Sequence, residues 1–327
     1  MKRFAKDSVF LVTGGAGFIG SNCAEKLLGA GFEVRVLDDF STGKRENIAS
    51  FKDEPRFTLI EGDIRDLETC QKACRGVDYV LHQAALGSVP RSIADPLTTH
   101  DVNTTGMLHM LIAARDQKVK SFVYASSSSV YGDHPQLPKK EGREGVLLSP
   151  YAVSKRNNED YAKVFSDLYD LNTVGLRYFN VFGPRQDPGS AYSAVIPKFL
   201  SHMLSGTAPV IFGDGEQSRD FTYIDNVIQA NLLACEASSA SGRAYNIGCG
   251  GRLTLNELYA TIEQVLGTGL SPLYGPVRQG DIKHSHADIT AARNDLGYEP
   301  EISVFEGMKK SMDWYQTYIQ KANQETV

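Results

Sequence analysis

A glycine-rich turn follows an apolar run near the beginning of the chain. The stretch LVTGGAGFIGS, Leu11 to Ser21, carries glycines at Gly14, Gly17 and Gly20. An apolar strand, a turn with this glycine spacing and then a helix form the arrangement that brings a pyrophosphate to the N–H groups at a helix N-terminus. The pattern predicts a nucleotide site after the first strand, and it restricts the chain to folds in which a strand leads into such a helix.

An acidic pair ends the second apolar run, in VLDDFSTG. Asp38 lies about twenty residues after the glycines, where a carboxylate accepts hydrogen bonds from an adenosine ribose. Asp38 and Asp39 would also repel a 2′-phosphate, so we expect NAD rather than NADP. Lys44 and Arg45 leave NADP open as an alternative.

Short apolar runs alternate with helical patterns through the first half of the chain. The runs SVFLVTG, EVRVLD, FTLIEG, DYVLHQAA and SFVYASSSS are of strand length and apolar enough to be covered on both faces. Between them, SNCAEKLLGAG and VNTTGMLHMLIAARDQK have helical spacing. This alternation predicts an α/β fold, a doubly wound parallel sheet of the Rossmann type with helices on both faces.

The second half of the chain has a less regular pattern of predicted elements. A long helix is expected from Tyr151, then the strand NTVGLRYFNVFGP, and beyond residue 181 the elements become shorter and turn-rich. We expect a Rossmann domain over residues 1–180, with a returning segment near 220–250 that includes the strand RAYNIG. A smaller mixed α/β portion over 181–327 is expected to bind the substrate.

Charge and cysteine content restrict the kind of partner. Hydrophobic residues make up 42% of the 327 residues, charged residues 22%, and the net charge is −5, so the composition is globular and shows no general electrostatic footprint for nucleic acid. Five scattered cysteines argue against a disulfide framework and favour a reducing compartment. No apolar run approaches the length of a membrane span. We therefore expect a cytoplasmic protein that binds neither nucleic acid nor a membrane.

Tyr151 and Lys155 lie four residues apart in SPYAVSKRN, on one face of the expected helix. A phenol with its ordinary pKa is a poor base at neutral pH, and a neighbouring ammonium favours the phenolate. The run ASSSSVYG at the end of the preceding strand adds Ser127 and its neighbours as donors to a substrate oxygen. Together with the nucleotide turn, these residues predict an acid–base site beside a cofactor.

These motifs together resemble the extended short-chain dehydrogenase/reductase superfamily. Within it, HQAALGSVPRS, LSPYAVSK, RYFNVFGPRQDP, GDGEQSRDFTYI and RQGDIKHSHAD are most similar to the UDP-N-acetylglucosamine 4-epimerases, and the similarity spans nearly the whole chain. The resemblance implies that Tyr151 removes the proton of the sugar 4-hydroxyl while NAD takes hydride from carbon 4, with Ser127 hydrogen-bonded to the same oxygen. A 4-keto sugar then turns over in the site and receives the hydride on its other face, so that the reaction is an isomerisation.

Further residues are candidates for the cofactor site. Asp63 of EGDIRD follows the third strand and can approach an adenine amino group, although a turn or cap residue would look the same. Ala84 and Ala85 of HQAALGS allow close approach of a cofactor ribose, as would small residues in any packed turn. The candidate cofactor residues are Gly14, Gly17, Phe18, Ile19, Gly20, Asp38, Asp39, Ser41, Gly43, Asp63, Ile64, Gln83, Ala84, Ala85, Tyr151, Lys155 and Tyr178.

The resemblance also assigns residues to a UDP-sugar substrate. Asn180 would meet the diphosphate, with Arg219 and Arg278 supplying charge-assisted hydrogen bonds, and Asp281 would accept from the uridine ribose. The nucleotide pocket is expected to contain Ala194, Val195 and Phe212, and the sugar site Ser127, Ser128, Ser129 and Tyr151.

A serine in KHSHAD bears on the choice of sugar. In hexose-restricted epimerases, the position that aligns with Ser285 tends to be a large tyrosine that closes the sugar pocket. Serine leaves room for an N-acetyl group, and Ser88 of LGSVP is expected to be a second neighbour of that group. Arg91 is close enough in sequence to pair with a 6-carboxylate, so a uronic acid substrate stays open as an alternative.

Nucleotide-sugar dehydratases and decarboxylases resemble the chain equally well at the cofactor site. Their serine or threonine stretch is followed by an acidic residue, because removing water or moving a proton at carbon 5 needs another acid or base. Here the same place reads Ser128, Ser129, Val130, which favours plain epimerisation. A dinucleotide-binding regulatory protein without catalysis is a further alternative, which Ser127, Tyr151 and Lys155 make unfavourable.

Two further features of the sequence bear on metal binding and assembly. His284 and His286 have no third ligand in a metal-site pattern, so we expect no metal. The helices around 96–117 and 151–169 resemble those that pair as a four-helix bundle in family dimers, which predicts a homodimer.

Overall fold

Strands and helices alternate along the chain, whose computed structural model describes residues 4–189, 194–277 and 283–325. The strands are β1 (Val9–Thr13), β2 (Glu33–Asp38), β3 (Phe57–Glu61), β4 (Tyr79–His82), β5 (Ser121–Ser127), β6 (Thr173–Tyr178), β7 (Val181–Phe182), β8 (Val210–Phe212), β9 (Ser218–Arg219), β10 (Thr222–Tyr223), β11 (Arg243–Ile247), β12 (Leu253–Thr254) and β13 (Leu273–Gly275). The helices are α1 (Phe18–Gly29), α2 (Leu67–Cys74), α3 (Val89–Ala94), α4 (Pro96–His100), α5 (Gly106–Asp116), α6 (Pro150–Tyr169), α7 (Val195–Leu204), α8 (Ile224–Glu236), α9 (Leu255–Leu266), α10 (Thr290–Leu296) and α11 (Val304–Glu325).

One large sheet organises the fold. Within the described residues, seven strands lie in the order β11-β6-β5-β4-β1-β2-β3, and each neighbouring pair is parallel. The strand of RAYNIG is β11, whose Arg243 lies opposite Val174 of β6. The predicted fold class, a doubly wound parallel sheet of the Rossmann type, is confirmed.

Both faces of this sheet are covered by helices. Phe10 and Val12 of β1 pack into a hydrophobic cluster with residues of α1 and α8, whereas Leu11 packs into a second cluster with residues of α2 and α5. The alternation arises because successive side chains of a strand point to opposite faces of its sheet. A strand buried on both faces is apolar throughout, which is why these strands are recognisable in the sequence.

The strand order reverses between β1 and β4. From β1 the sheet continues to β2 and β3, whereas from β4 it continues to β5 and β6 on the other side. In open α/β sheets, ligands bind beyond the C-terminal ends of the strands at such a reversal. The loops that follow β1, β2, β4 and β5 therefore surround a common crevice.

Short strand pairs characterise the second half of the chain. β7 pairs with β10 and β8 with β13 in parallel, and β9 pairs with β12 in antiparallel orientation. The division into portions 1–180 and 181–327 stays a prediction. Of the helices described, none combines the length and apolar character that crossing a bilayer requires. All five cysteines are free thiols.

Candidate active site

A cavity of about 540 Å³, the first cavity, lies at the C-terminal edge of the large sheet. It is bordered by Gly14 after β1, Asp38 at the end of β2, Gly62 after β3, Gln83 after β4 and Ser127 at the end of β5. Each of the predicted cofactor residues borders this cavity: Gly14, Gly17, Phe18, Ile19, Gly20, Asp38, Asp39, Ser41, Gly43, Asp63, Ile64, Gln83, Ala84, Ala85, Tyr151, Lys155 and Tyr178.

The glycine turn forms the floor of the first cavity with its backbone. Gly14 has φ +64°, a conformation that favours glycine, and a Cβ on Gly14 would lie 2.7 Å from the backbone nitrogen of Ala84. Helix α1 begins after Gly17, and no described side chain caps its N-terminus or places an acid in its first turn. Uncapped N–H groups on a bare backbone fit a pyrophosphate.

Asp38 is held rigidly at the end of β2. Its side chain is 7% exposed, and its two carboxylate oxygens accept hydrogen bonds from the backbone N–H groups of Ala16 at 2.8 Å and Phe40 at 2.9 Å. Burial raises the pKa of Asp38, and these two hydrogen bonds oppose the rise. The carboxylate therefore both fixes the glycine turn and faces the first cavity, which fits an acceptor for a ribose.

The two cations that left NADP open are paired with other residues. Lys44 Nζ lies 2.9 Å from an Asp187 carboxylate oxygen. Arg45 donates two hydrogen bonds to Glu61, at 2.9 and 2.6 Å, and stacks over the Phe40 ring. Both cations are already paired with carboxylates, which favours NAD.

Asp63 borders the first cavity, but a neighbour engages its carboxylate. Arg65 Nε donates to Asp63 at 2.8 Å. Burial raises the pKa of the Asp63 carboxyl, and its hydrogen bonds with Arg65 lower it. The resulting pKa lies below the ordinary value. Its predicted approach to an adenine amino group stays a prediction.

Tyr151 and Lys155 lie on the first turns of α6, beside the end of β5. Lys155 is 3% exposed, its Nζ donates to the carbonyl oxygen of Ala125 at 2.8 Å, and it lies 5.9 Å from the centre of the Tyr151 ring. Burial lowers the pKa of Lys155 to about 8, opposed by Glu159. The helix thus brings the predicted pair together at the first cavity.

The pKa of Tyr151 is set by burial and by a neighbouring hydroxyl. Burial raises it above its ordinary value, and a side-chain hydrogen bond with Ser127 lowers it. The Lys155 ammonium points to the carbonyl of Ala125, and burial takes the Tyr151 phenol out of contact with water. That Lys155 favours the phenolate, with the charge of an oxidised nicotinamide adding to it, stays a prediction.

The serines at 126–129 lie in different surroundings. Ser127 and Ser128 border the first cavity, and Ser127 Oγ accepts a hydrogen bond from the Ser129 N–H at 3.2 Å. The Ser129 hydroxyl is buried without a hydrogen-bond partner among the described residues. Sequence analysis missed Ser126, which also borders the cavity and donates to Glu159 at 2.6 Å.

A second cavity, of about 600 Å³, adjoins the first. Asn180 and Val181 border both cavities, and Asn180 adopts φ +30° while its amide donates to the Asp220 carbonyl at 3.1 Å. The predicted substrate residues on the second cavity are Asn180, Ala194, Val195, Phe212 and Arg219. Arg278 and Asp281 lie outside the described residues.

Like Ser129, the predicted sugar neighbours Ser88 and Ser285 are not among the residues that border these two cavities. Ser88 is 8% exposed and caps α3, its hydroxyl accepting a hydrogen bond from the Arg91 N–H at 3.2 Å. The Ser285 N–H donates to the Ser218 carbonyl at 2.9 Å, next to the segment that the structure does not describe. Their contact with a sugar stays a prediction.

The two histidines near Ser285 are occupied by protein groups. His284 Nδ1 hydrogen-bonds Ser218 Oγ at 2.8 Å, and His286 Nε2 hydrogen-bonds the Gly250 carbonyl at 3.0 Å. Within residues 4–189, 194–277 and 283–325, no group of three or more His, Cys, Asp or Glu side chains could hold a metal ion.

The chain is similar to a known family and to several known proteins. A model of the NAD dependent epimerase/dehydratase family matches residues 10–248. A putative UDP-glucose 4-epimerase of Methanocaldococcus jannaschii is 38% identical over 308 residues, covering 94% of this chain and 98% of that protein.

Solved structures resemble the whole fold. The UDP-N-acetylglucosamine 4-epimerase of Methanobrevibacter ruminantium M1, in complex with UDP-N-acetylmuramic acid, has a TM-score of 0.91 at 41% identity, covering 96% of this chain and 100% of that chain. The UDP-glucuronic acid 4-epimerase of Bacillus cereus, in complex with UDP-glucuronic acid and NAD, has a TM-score of 0.86 at 32% identity, covering 95% of this chain and 99% of that chain.

The family match includes the glycine turn, Asp38 and the acid–base pair at the first cavity. The superfamily predicted from the motifs is confirmed, and so is NAD as the cofactor. The relatives named above are epimerases of different UDP-sugars. By sequence, fold and family, this chain belongs to the NAD-dependent epimerase/dehydratases.

Proposed function

We propose that the protein is a UDP-sugar 4-epimerase that interconverts UDP-N-acetylglucosamine and UDP-N-acetylgalactosamine. The observation that carries the proposal is the position of Ser127, Tyr151 and Lys155 on the first cavity, which meets the second cavity at Asn180. The run after Ser127 has no carboxylate, which favours plain epimerisation over removal of water or proton transfer at carbon 5. The 41% identity to a UDP-N-acetylglucosamine 4-epimerase supports the choice of sugar.

The residues of the chain perform the proton transfers. Tyr151 accepts the proton of the sugar 4-hydroxyl, Ser127 donates a hydrogen bond to the same oxygen, and the Lys155 ammonium stabilises negative charge nearby. NAD, when bound, accepts and returns the hydride, and its oxidised ring supplies a positive charge that favours a Tyr151 phenolate. Tyr151 returns its proton after the 4-keto sugar has turned, so no external reductant is needed.

The second cavity is proposed to hold the nucleotide part of the substrate. Arg219 borders it and is oriented by the Ser218 carbonyl, to which its guanidinium donates at 2.9 Å. A guanidinium in this position suits a diphosphate, with Asn180 at the junction of the two cavities. We assign Ala194, Val195 and Phe212 to the nucleoside, and Arg278 and Asp281 to the diphosphate and ribose.

The preference for an acetylated sugar is tested with the purified protein and separate UDP-N-acetylglucosamine, UDP-glucose and UDP-glucuronic acid. We expect anomeric-proton NMR to show the galacto epimer, formed fastest from the acetylated sugar, without a lasting absorbance change from reduced cofactor or keto product.

Ser285→Tyr is expected to slow conversion of the acetylated sugar at least about tenfold while leaving conversion of UDP-glucose unchanged, because a large ring fills the space proposed for the acetyl group.

Three outcomes would contradict parts of this proposal. Faster conversion of UDP-glucuronic acid would make the protein a uronic acid epimerase. Accumulation of a keto product would indicate a dehydratase or decarboxylase. If all three sugars remain unchanged after NAD is added, the chain does not epimerise UDP-sugars.

We also propose that two copies pair through α3, α4 and α6. This face exposes several large apolar side chains, among them Ile93 at 63%, Leu97 at 78% and Leu168 at 69%. Apolar helix faces of this kind associate with a second copy in four-helix bundles.

The cytoplasm remains our proposed location, for which the five free thiols are the supporting feature.

Leu168→Glu is expected to convert this dimer to a monomer, because each interface would then bury two carboxylates. Sedimentation velocity at micromolar concentration measures the change. Leu273→Glu, at an exposed leucine (60%) on β13, is the matched control and should leave the mass unchanged. A monomeric unsubstituted protein, or a dimeric Leu168→Glu protein, would contradict the pairing.

A further inference from the structure

The face of α6 that carries Tyr151 and Lys155 continues one turn further, to Glu159. These side chains are spaced by four residues and therefore point the same way. Lys155 Nζ donates to the Ala125 carbonyl at 2.8 Å, and Ser126 Oγ donates to Glu159 Oε1 at 2.6 Å. Successive turns of the helix are thus bonded to successive residues at the end of β5.

Glu159 is itself fixed from β6. Arg177 donates to both Glu159 oxygens, each at 2.8 Å, and the two side chains are 4% and 7% exposed. Arg177 Nη1 also lies 2.6 Å from a Glu144 oxygen. The other groups that face Glu159 are Arg156 on its own helix, at 4.0 Å, and Tyr124 of β5, whose pKa is raised by burial and then by Glu159. The bidentate pair leaves the carboxylate little freedom to move.

We propose that Glu159 is a positioning residue of the epimerase site: its hydrogen bond to Ser126 fixes the end of β5, and its carboxylate lies one helical turn from Lys155 on the same face of α6. The inference rests on the proposed function. Ser126 is peptide-bonded to Ser127, so an anchored Ser126 restricts where the Ser127 hydroxyl can lie relative to Tyr151. Small displacements of such groups lower the rate of reaction steeply.

The charge of Glu159 matters because Lys155 is buried. The groups around Lys155 are Tyr151 and Glu159 on its own helix, the Ala125 carbonyl on β5 and His82 on β4. Burial, and then Lys155, lower the pKa of His82 to about 3, so this imidazole is neutral at working pH. Burial lowers the pKa of Lys155 to about 8 and Glu159 raises it. Without Glu159, Lys155 would lose its proton at a lower pH.

The test compares Glu159→Gln, Ser126→Ala and the matched control Glu144→Gln. Glu144 pairs with the same arginine, but within the described residues it has no hydrogen bond to Ser126. For Ser126→Ala we expect kcat to fall about tenfold with KM unchanged. For Glu159→Gln we expect the same fall, and in addition the alkaline limb of kcat/KM, which lies near pH 8 if Lys155 must be charged, should move down by about one pH unit. Glu144→Gln should change neither kcat nor the pH of the alkaline limb.

A second measurement does not depend on turnover. In NAD-loaded protein without sugar, NMR of labelled lysine ε-methylenes follows the titration of Lys155, whose signal is identified by its absence in Lys155→Arg. The midpoint should fall in Glu159→Gln and stay in Glu144→Gln. This result can be read even if the chain epimerises no UDP-sugar, so failure of the proposed function and failure of this inference are distinguishable.

Two results would overturn the positioning role. If Glu159→Gln matches Glu144→Gln in both the titration and the kinetics, the Arg177 ion pair only holds the fold together. If Glu159→Gln does not fold, Ser126→Ala decides, because it leaves the ion pair intact; unchanged kcat in Ser126→Ala would then refute the anchor.

Discussion

Tyr151→Phe is expected to lower kcat about a thousandfold, because the substitution removes the group that takes and returns the proton of the sugar 4-hydroxyl. The ring remains, so packing at the start of α6 should be preserved. KM and the affinity for NAD should change little, since the substitution removes only the Tyr151 hydroxyl and leaves the second cavity and the glycine turn unaltered. Conversion of UDP-N-acetylglucosamine followed by NMR measures the effect, with calorimetry for the affinity for NAD.

Tyr161→Phe is the matched control for this substitution. Tyr161 lies on the same helix, 39% exposed and away from the first cavity, so its loss of a hydroxyl should leave kcat within about twofold. If Tyr151→Phe retains more than a tenth of the activity, the phenol is not the acid and base. Ser127, the other hydroxyl at this position, would then be the residue to replace.

Much of the fold was predictable because the large sheet is buried on both faces. β1 and β5 are largely apolar runs, and β2 places Glu33 and Arg35 between buried apolar residues. A turn or a helix follows each of these strands in the sequence. The short strands β8, β9, β12 and β13 have only two or three residues each. A period of two cannot be recognised in so few residues, so these pairings required the structure.

The site was predictable where its residues lie close together in sequence. The glycine turn, the acid after β2 and the Tyr-x-x-x-Lys spacing are local patterns, and Glu159 continues the same spacing by four, so it could have been found. The pairing of Lys44 with Asp187 joins distant parts of the chain and leaves no local signal. The elevated pKa of Tyr151 likewise depends on burial, which the motif does not show.

Gly20→Ala is expected to abolish the retention of NAD and to destabilise the protein. A Cβ on Gly20 would lie 2.2 Å from the carbonyl oxygen of Gly14 and 2.8 Å from the Cα of Gly15, and both are backbone atoms that cannot rotate away. Relief requires the turn to open, which moves Gly14 from its close approach to Ala84 and disturbs the N–H groups that face the pyrophosphate. We expect the affinity for NAD to fall at least about a hundredfold and the free energy of unfolding to fall by about 1–3 kcal/mol.

Gly29→Ala separates this steric effect from the general effect of alanine in a helix. Gly29 ends the same helix, and a Cβ there meets no atom within 4 Å, so alanine should leave NAD binding intact and raise the free energy of unfolding by up to about 1 kcal/mol. NAD released from the purified proteins by acid, and urea unfolding, measure both quantities. If Gly20→Ala retains NAD as Gly29→Ala does, the turn can accommodate a Cβ at residue 20. The close backbone approach at Gly20 would then not be needed for NAD binding.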